Sequence, residues 1–381
     1  MNVLLRAPLL TNSGYGVHSR QIFECLAKRK DINLRVECVN WGQTSWIINP
    51  DFEDGLIKKI MSFSKNSDIK SDISIQVQLP DEWDPSLGKK NIGISAVVET
   101  DRCNPAWIDA CNKMDHVIVP SSFTAGVLKR SGILMSNLSV VPEWYNHNLL
   151  DLVSLDEIVK NDERYQIDTK FNFLMIAQLT SQDSSLDRKN LTRSIEWFFE
   201  EFDGDSDVGL ILKTNIGRST KFDRNMTHEI IKQIIEKSRK SLFPKVHVIH
   251  GSMTPKEIAA VYNISNAKCF ISATRGEGYG LPLIDAAAFG MPIAVTGWSG
   301  HYQFLDKELV SNVKYEMINI PEQRVDNRIF FKGFRWADPS KEDFKKKIRN
   351  IYENYDFYKE NANTLKHRVV EKFHKKNIEK L

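Results

Sequence analysis

Residues Ala273–Pro282 have the sequence ATRGEGYGLP. They follow a predicted buried strand, Lys268–Ser272, and their last two residues open a predicted helix, Leu281–Phe289. The three glycines of this turn allow a ligand to approach the backbone, and a proline suits the first helical turn, where its missing N–H costs nothing. Amides at the start of a helix attract anions, so a diphosphate is a natural ligand. Glycine-rich turns also form for steric reasons alone.

The turn belongs to a chain in which short apolar strands and amphipathic helices alternate in two successive sets. This pattern predicts two doubly wound α/β domains with mostly parallel sheets. Polar residues dominate 151–170, and a new buried strand follows them. We therefore predict an N-terminal domain over 1–160 and a C-terminal domain over 161–354, with the helix at about 355–381 completing the first domain.

The two sets are predicted from local patterns of apolar residues. In the first, the strands are Val3–Leu5, Leu34–Val39, Ile73–Gln78, Ile92–Val98 and His116–Val119, and the helices are Ser19–Lys28 and Ser122–Ser131. In the second, the strands are Phe171–Ala177, Val208–Lys213, Val246–His250, Lys268–Ser272 and Pro292–Thr296, and the helices are Leu191–Glu201, Glu229–Leu242, Lys256–Ile264 and Leu281–Phe289.

Composition limits the binding partners and the cellular compartment that we expect for this protein. The 381 residues suffice for two cores, and 52 basic against 49 acidic residues do not by themselves indicate a polyanion partner. No charged leader or long apolar run is evident, so we predict no transmembrane segment. A cytoplasmic protein with reduced thiols is expected from the scattered cysteines, Cys25, Cys38, Cys103, Cys111 and Cys269.

The longer string 276–300, GEGYGLPLIDAAAFGMPIAVTGWSG, resembles the signature of the large family 4 of retaining glycosyltransferases. That family has a Glu followed eight positions later by a second acidic residue, usually Glu. The resemblance implies the GT-B fold, in which two Rossmann-like doubly wound domains face each other across a cleft and the C-terminal helix crosses back to the first domain. It also implies that Glu277 contacts the transferred sugar and that Asp285 binds the ribose hydroxyls.

Two further segments extend the resemblance. Residues 117–132, VIVPSSFTAGVLKRSG, are similar to the strand, Pro-Ser turn and helix that end the first domain of the family. Residues 187–190, DRKN, resemble a step that places a cation against the donor diphosphate, which implies Lys189 and, less directly, Arg188. The glycine and arginine expected after the first strand of the second domain are replaced by Ala177-Gln178. The turn itself implies donor contacts at Gly278, Tyr279, Gly280 and Leu281.

Lys213 ends a predicted strand and therefore points to the same carboxyl-end crevice. A lysine there is suited to phosphate and could supply the missing charge. A solvated lysine at a strand end is the alternative.

Residues 12–18, NSGYGVH, resemble the glycine loop of the first domain that faces the donor. Gly14, Tyr15 and Gly16 are the donor-binding candidates of this loop. His18 is a catalytic candidate, and a capping or packing histidine is the alternative.

Glu99 and Asp101 follow the predicted strand Ile92–Val98, at the edge where the family's loop reaches sugar and acceptor. They are candidates for positioning the acceptor or deprotonating its hydroxyl, and an ordinary acidic pair at a strand end is the alternative.

No metal site is predicted. Asp203–Asp207 offers an Asp-x-Asp spacing, but it precedes a strand at its amino end and Val208 stands where a calcium loop needs glycine. We expect a surface turn there, and no cofactor beyond a nucleotide-diphosphate-sugar co-substrate.

The sequence, with the family resemblance from which retention is implied, thus predicts a retaining hexosyl- or pentosyltransferase that moves a sugar to an acceptor hydroxyl without a metal. The alternatives are a GT-B epimerase or hydrolase, a non-catalytic sugar-binding protein, and a DNA-acting transferase or nucleic-acid-binding protein using the lysine-rich residues 341–381. The acceptor is left open among a saccharide, a lipid-linked sugar, a small molecule and modified DNA. Tryptophans in the first domain, Trp41, Trp46 and Trp83, either stack on a sugar ring or pack internally.

Overall fold

The computed structural model describes residues 1–42, 44–64, 70–97, 99–216 and 219–381. Its residues divide into two compact units. The first comprises Met1–Trp144, Val325–Phe334 and Lys375–Leu381, and the second comprises Tyr145–Arg324 and Arg335–His374. The chain thus passes between units at Trp144, ahead of the polar segment in which the sequence analysis placed the boundary.

The first unit is built around one six-stranded parallel sheet. Its strands are β1 Asn2–Ala7, β2 Asn33–Cys38, β3 Ser71–Val77, β4 Gly88–Ile94, β5 His116–Val119 and β6 Asn137–Val140, and its first helices are α1 Gly14–Leu26, α2 Phe52–Phe63, α3 Pro105–Cys111 and α4 Ser122–Ser131. The spatial order is β2-β1-β3-β4-β5-β6. Strand order therefore reverses between β1 and β3, where α/β sheets open a crevice for ligands.

The second unit holds another six-stranded parallel sheet and a small hairpin. Its strands are β7 Phe171–Ile176, β8 Val208–Thr214, β9 Lys245–His250, β10 Ala267–Ser272, β11 Ile293–Thr296, β12 Ser311–Val313, β13 Tyr315–Asn319 and β14 Arg335–Pro339. The larger sheet has the order β12-β11-β10-β7-β8-β9, and β13 pairs antiparallel with β14. Strand order here reverses between β7 and β10.

The helices of the second unit are α5 Leu152–Asn161, α6 Leu191–Phe202, α7 Lys221–Ser238, α8 Pro255–Tyr262, α9 Leu281–Phe289, α10 Lys341–Glu353 and α11 Tyr355–Lys372. A last short helix, α12 Lys375–Ile378, lies in the first unit. The long helix α11 lies in the second unit, where Lys359 donates a hydrogen bond to the Gly290 carbonyl at 2.6 Å. None of the helices described is long and apolar enough to span a membrane.

The elements of the second unit pack tightly around its larger sheet. Strand β8 is buried at every position, as expected of a central parallel strand covered on both faces. The apolar side of α6 adds Ile195, Phe198 and Phe202 to the core. Helix α9 carries three consecutive buried alanines, Ala286–Ala288, so its backbone can lie close to the sheet.

These two parallel sheets with flanking helices confirm the predicted α/β two-domain fold. Most predicted strand ends lie within about two residues of the observed ones, but β4 is Gly88–Ile94 where Ile92–Val98 was predicted, and Val98 lies outside the described residues. The chain leaves the sheet after Ile94, where Val97 adopts a positive φ of 57°.

Candidate functional site

Glu277 occupies the turn between β10 and α9, beside the point where the strand order of the second unit reverses. Lys189, which follows β7, donates hydrogen bonds to both carboxylate oxygens of Glu277, at 2.6 and 2.8 Å. The Thr274 hydroxyl donates to Oε1 at 3.0 Å, and Nη1 of Arg188 lies 3.7 Å from Oε2. The sequence-predicted cations and acid are therefore brought together at one crevice.

The environment fixes the charge of Glu277. Burial alone raises the pKa of a carboxyl group. Here the charges of Lys189 and Arg188, with hydrogen bonds from Lys189 and Thr274, outweigh burial and lower the pKa of Glu277 to about 2. Glu277 is therefore a carboxylate at neutral pH, which accepts hydrogen bonds and has no proton to give.

A second arginine braces the loop that carries the cations. Arg275 is almost fully buried and donates to the Ser185 carbonyl at 2.5 Å. Its guanidinium also lies 3.1 Å from Asp338 and 5.0 Å from the centre of the Trp336 ring. The backbone N–H of Arg275 donates to the Arg188 carbonyl at 2.9 Å. The sequence analysis assigned no role to Arg275.

The loop after β11 holds the backbone of Glu277, and the sequence analysis did not single it out. The Glu277 amide donates to Ser299 Oγ at 3.0 Å, and the Gly300 amide donates to the Glu277 carbonyl at 2.8 Å. Burial lowers the pKa of His301 to about 4, so its ring is neutral. Nε2 of His301 then donates to the Thr296 carbonyl, and Nδ1 accepts from the Ser299 hydroxyl. The only available signal was the glycine pattern of TGWSG within the family-like string.

Two positions at the end of the turn and beside it require glycine, Gly280 and Gly300. Gly280 has a φ of 103°, which a side chain would strain, and it caps α9. A Cβ on Gly300 would lie 2.0 Å from the Gly278 carbonyl oxygen. Tyr279 is buried, with its ring 5.0 Å from that of Phe304. Any contact of Tyr279 with a donor would thus involve its backbone, as with Leu281 at the start of α9.

Asp285 lies in the second turn of α9 and is buried. Its Oδ1 accepts a hydrogen bond from the Asn146 amide at 2.8 Å, and the Asn146 side chain donates to the Pro255 carbonyl at 2.7 Å. Burial raises the pKa of Asp285 to about 7, although the hydrogen bond from Asn146 acts in the opposite direction. The predicted ribose contact of Asp285 stays a prediction.

Lys213 lies at the carboxyl end of β8, as predicted, but its side chain is buried. Its ammonium donates to the Gly251 carbonyl at 2.7 Å. Burial, together with the charge of Arg164, lowers the pKa of Lys213 to about 8. A solvated strand end therefore does not describe this lysine.

In the first unit, the predicted glycine loop forms the start of α1. Ser13 caps the helix by accepting from the Gly16 amide at 3.0 Å, and a Cβ on Gly16 would lie 2.0 Å from the Thr11 carbonyl oxygen. Gly14 is the first residue of α1. The Tyr15 hydroxyl accepts from the Ala96 amide and shares a hydrogen bond with the Ser95 hydroxyl, both at 2.9 Å. The loop is thereby fixed to the end of β4.

His18 faces an acid that the sequence analysis did not single out. Its Nδ1 lies 4.0 Å from Oε1 of Glu143, and both side chains are buried. Burial lowers the pKa of His18 to about 4, so the imidazole is neutral at physiological pH. A neutral imidazole can donate one hydrogen bond and accept another, and its acceptor nitrogen can take up a proton. The buried ring is therefore compatible with a packing role and with a catalytic role.

Glu99 and Asp101 do not end a strand, which corrects the sequence-based placement. Both lie in the loop that follows β4, beyond the turn at Val97. Within this loop the Asp101 carbonyl accepts from Nε of Arg130 at 3.2 Å. The loop conformation, and not strand direction, therefore sets where these carboxylates point.

The predicted surface turn Asp203–Asp207 lies between α6 and β8, at the amino end of the strand. Across the described ranges, the structure contains no group of three or more His, Cys, Asp or Glu side chains that could hold a metal ion. A metal-independent reaction stays a prediction.

Several solved structures share this architecture. They include a glycosyltransferase from Rickettsia africae ESF-5, with a TM-score of 0.65, 15% identity and coverage of 100% of this chain and 96% of that chain. Sucrose-phosphate synthase from Thermosynechococcus elongatus is similar with a TM-score of 0.62 and 14% identity, over 100% of this chain and 96% of that chain. Anabaena HepE is similar with a TM-score of 0.62 and 11% identity, over 100% of this chain and 97% of that chain. The fold is therefore the GT-B fold of glycosyltransferases.

A family model described as "Family 4 Glycosyltransferase in conflict systems" matches residues 229–378, which include the turn from Glu277 to Asp285. The resemblance to family 4 glycosyltransferases is thereby confirmed. No curated protein matches the sequence. The family model and the fold together support glycosyltransferase activity.

Proposed function

We propose that the protein transfers a sugar from a nucleotide-diphosphate-sugar to an acceptor hydroxyl, with retention of configuration and without a catalytic metal. The observation that carries the proposal is the Glu277–Lys189 pair at the reversal point of the second sheet, beside the start of α9. Open α/β sheets bind ligands at such a point, and a helix start favours a diphosphate. HepE was solved with UDP and glucose, which makes a UDP-sugar the first donor to test.

Each residue of the crevice has a proposed part in transfer. Negative charge builds on the diphosphate as the glycosidic bond breaks, and fixed cations stabilise it where it develops. Lys189 and Arg188 supply this charge, and the ammonium of Lys213 adds to it. The Glu277 carboxylate accepts hydrogen bonds from the sugar hydroxyls, since its low pKa leaves it without a proton for the leaving group.

The remaining steps rest on the family resemblance. Asp285 binds the ribose hydroxyls, and Gly278, Gly280 and Leu281 present backbone amides to the diphosphate. The leaving phosphate assists deprotonation of the acceptor hydroxyl on the same face of the sugar, so that no covalent nucleophile is required. In the first unit, Glu99 or Asp101 positions the acceptor, and His18 contributes beside Glu143.

Nucleotide release from a panel of UDP- and GDP-sugars, followed by mass spectrometry and NMR of the product, tests the proposal. The wild type should turn over at least one donor and form an α-linked product from an α-linked donor. Glu277→Gln should lose about a hundredfold or more in turnover, because the uncharged amide no longer matches Lys189 or the sugar hydroxyls.

Glu308→Gln is the matched control, since Glu308 is an exposed acid of the same unit. A fully active Glu277→Gln enzyme would refute the assignment. Release of an epimerised sugar, or of free sugar with every acceptor tested, would instead identify an epimerase or a hydrolase.

A further inference from the structure

Residues 40–55 of the first unit, here called the aromatic segment, are fixed to the start of α1 at several points. The Ile47 amide donates to the Leu10 carbonyl at 2.6 Å, and Trp46 forms an isolated antiparallel bridge with Thr11. The Trp41 ring stacks on Tyr15, with centroids 3.8 Å apart and planes 21° apart. The aromatic segment therefore lies along the glycine loop.

A buried ion pair holds the far end of the aromatic segment. Nε of Arg20 lies 2.7 Å from Oε1 of Glu53, while Nη1 of Arg20 donates to the carbonyls of Leu9 and Thr11 at 3.0 and 2.9 Å. Glu53 has a φ of 54°, a left-handed conformation that strains a residue with a side chain. Strained backbone persists only where its surroundings hold it, and here Arg20 couples it to the glycine loop.

Trp46 is the exposed aromatic ring of this arrangement. Its side chain is 43% exposed, although tryptophan is highly buried on average. The indole N–H donates to Asn40 Oδ1 at 2.8 Å, so the polar edge of the ring is engaged. The other two tryptophans considered from the sequence are used internally, because Trp41 stacks on Tyr15 and Trp83 is buried against Gly93. What Trp46 offers to a ligand is thus a flat apolar face.

The composition of the aromatic segment bears on the kind of ligand that Trp46 would bind. The segment contains no lysine or arginine and has three acids, Asp51, Glu53 and Asp54, of which Glu53 is paired with Arg20. A polyanion such as a nucleic acid binds through cations that neutralise its phosphates, and acids repel it. A pyranose ring is neutral, and its C–H face packs on an aromatic ring while its hydroxyls stay hydrogen-bonded.

We infer that Trp46 is the stacking platform for the acceptor and that the acceptor is a neutral pyranoside. The inference rests on the proposed sugar transfer, because the acceptor must present a hydroxyl, and it deepens that proposal by naming the acceptor class.

Saturation-transfer NMR on the full chain tests the platform without any donor. The probes are methyl α-D-glucopyranoside, maltotriose, chitotriose and, as the polyanion, a short single-stranded oligothymidylate. The wild type should bind at least one neutral glycoside through its ring protons, Trp46→Ala should lose this signal and Trp46→Phe should keep it. Phe357→Ala removes another exposed aromatic ring, in α11, and should behave as the wild type.

Kinetics with the bound glycoside as acceptor give the second readout. Trp46→Ala should raise the acceptor KM about three- to tenfold, as expected for loss of one stacking contact. Its kcat and its hydrolysis of donor in the absence of acceptor should match the wild type.

Three results would overturn the inference: glycoside binding that survives in Trp46→Ala, preference of the wild type for oligothymidylate, and no binding of any neutral glycoside. Trp46→Phe retains an aromatic ring, so its behaviour separates loss of stacking from misfolding. Failure of sugar transfer itself is distinguishable, because Trp46-dependent glycoside binding without donor turnover would reject the proposed function and leave the platform standing.

Discussion

Glu277 and Asp285 are both buried acids on the same turn and helix, yet their protonation differs. Two cations within 4 Å outweigh burial and lower the pKa of Glu277 to about 2, whereas burial, opposed only by one backbone hydrogen bond, raises the pKa of Asp285 to about 7. Pairs of acids with such divided environments divide the chemical work of a site. At neutral pH Glu277 is ionised, whereas Asp285 is close to its pKa.

The proton on Asp285 predicts a pH dependence of donor binding. Ribose hydroxyls donate to the ionised carboxylate, so affinity for UDP should rise about tenfold per pH unit below about 7 and level off between about 7 and 8, above which Lys213 loses its charge. Calorimetric titration of UDP across this range measures the effect, and Asp285→Asn should flatten it. A wild-type affinity that does not change below pH 7 would contradict the ribose contact.

Protein stability should respond to Asp285 in the opposite sense. The folded-state pKa, about 7, exceeds the ordinary value of 3.8, so the folded state binds more protons between these values. The contribution of Asp285 to the free energy of unfolding therefore decreases as the pH rises through this interval. Urea unfolding at several pH values gives the slope of the free energy of unfolding against pH for the wild type and for Asp285→Asn, and the wild type should show the steeper decrease.

Lys213 predicts a second pH dependence of UDP binding. Its pKa of about 8 means that it loses its charge above that pH, and affinity for UDP should then fall. Lys213→Ala should weaken UDP binding about tenfold at neutral pH, as loss of a charged phosphate contact does. Lys213→Met keeps the apolar stem and serves as the control for packing. Unchanged affinity in both variants would leave Lys213 as a structural residue only.

At the scale of elements, the turn before α9 depends on the loop after β11. Gly300→Ala would place a methyl group 2.0 Å from the Gly278 carbonyl oxygen, so residues 277–278 must shift. We expect at least a tenfold loss of nucleotide release, and a decrease of about 1–3 kcal/mol in the free energy of unfolding. Release assays and urea titrations measure the two effects.

Gly204→Ala provides the matched comparison for that variant. Gly204 has a φ of 82° and no heavy atom within 4 Å of a built Cβ, so its replacement adds backbone strain without a clash. It should cost about 1 kcal/mol and leave nucleotide release unchanged. Equal activity of the Gly300→Ala and Gly204→Ala variants would mean that the loop after β11 does not support the turn.

The ends of helices with capping residues close to them in the sequence were predictable from the sequence. Helix α9 has the predicted ends because Gly280 and Gly290 adopt left-handed conformations at its two caps. Helix α4 has them because Ser121 caps it by accepting from the Thr124 amide. Helix α7 begins at Lys221, ahead of the predicted Glu229, because Thr220 and Asp223 form a capping box there.

The parts of the site that were missed are held by contacts between distant segments. Ser299 supports Glu277 from the loop after β11, and Arg275 rests on Trp336 of β14. Periodicity and caps report only on neighbours along the chain, so such partners carry no local signal. Glu277 and Lys189 were assigned to one donor site because a family resemblance supplied the long-range relation, whereas their direct hydrogen bonds were not predicted.

For the whole molecule, charge distribution bears on the nucleic-acid alternative. Several cations of the lysine-rich residues 341–381 have acidic partners: Lys341 and Lys345 pair with Glu200, Arg349 with Glu201, Arg368 with Asp306 and Lys375 with Glu24. Exposed pairs of this kind add little stability, but they neutralise the surface locally. This arrangement disfavours a continuous basic footprint for DNA.

These ion pairs predict that the wild type binds nucleic acid weakly. They also predict that removing the acidic partners strengthens this binding. Fluorescence anisotropy with a short DNA duplex should show little binding by the wild type, and nucleotide release should change less than about twofold between about 50 and 200 mM salt. The double variant Glu200→Gln, Glu201→Gln leaves the cations of α10 unneutralised, so it should bind the duplex more tightly and with a steeper salt dependence. Tight, salt-sensitive binding by the wild type would favour a DNA-acting enzyme, and a double variant identical to the wild type would show that these glutamates do not control the surface charge.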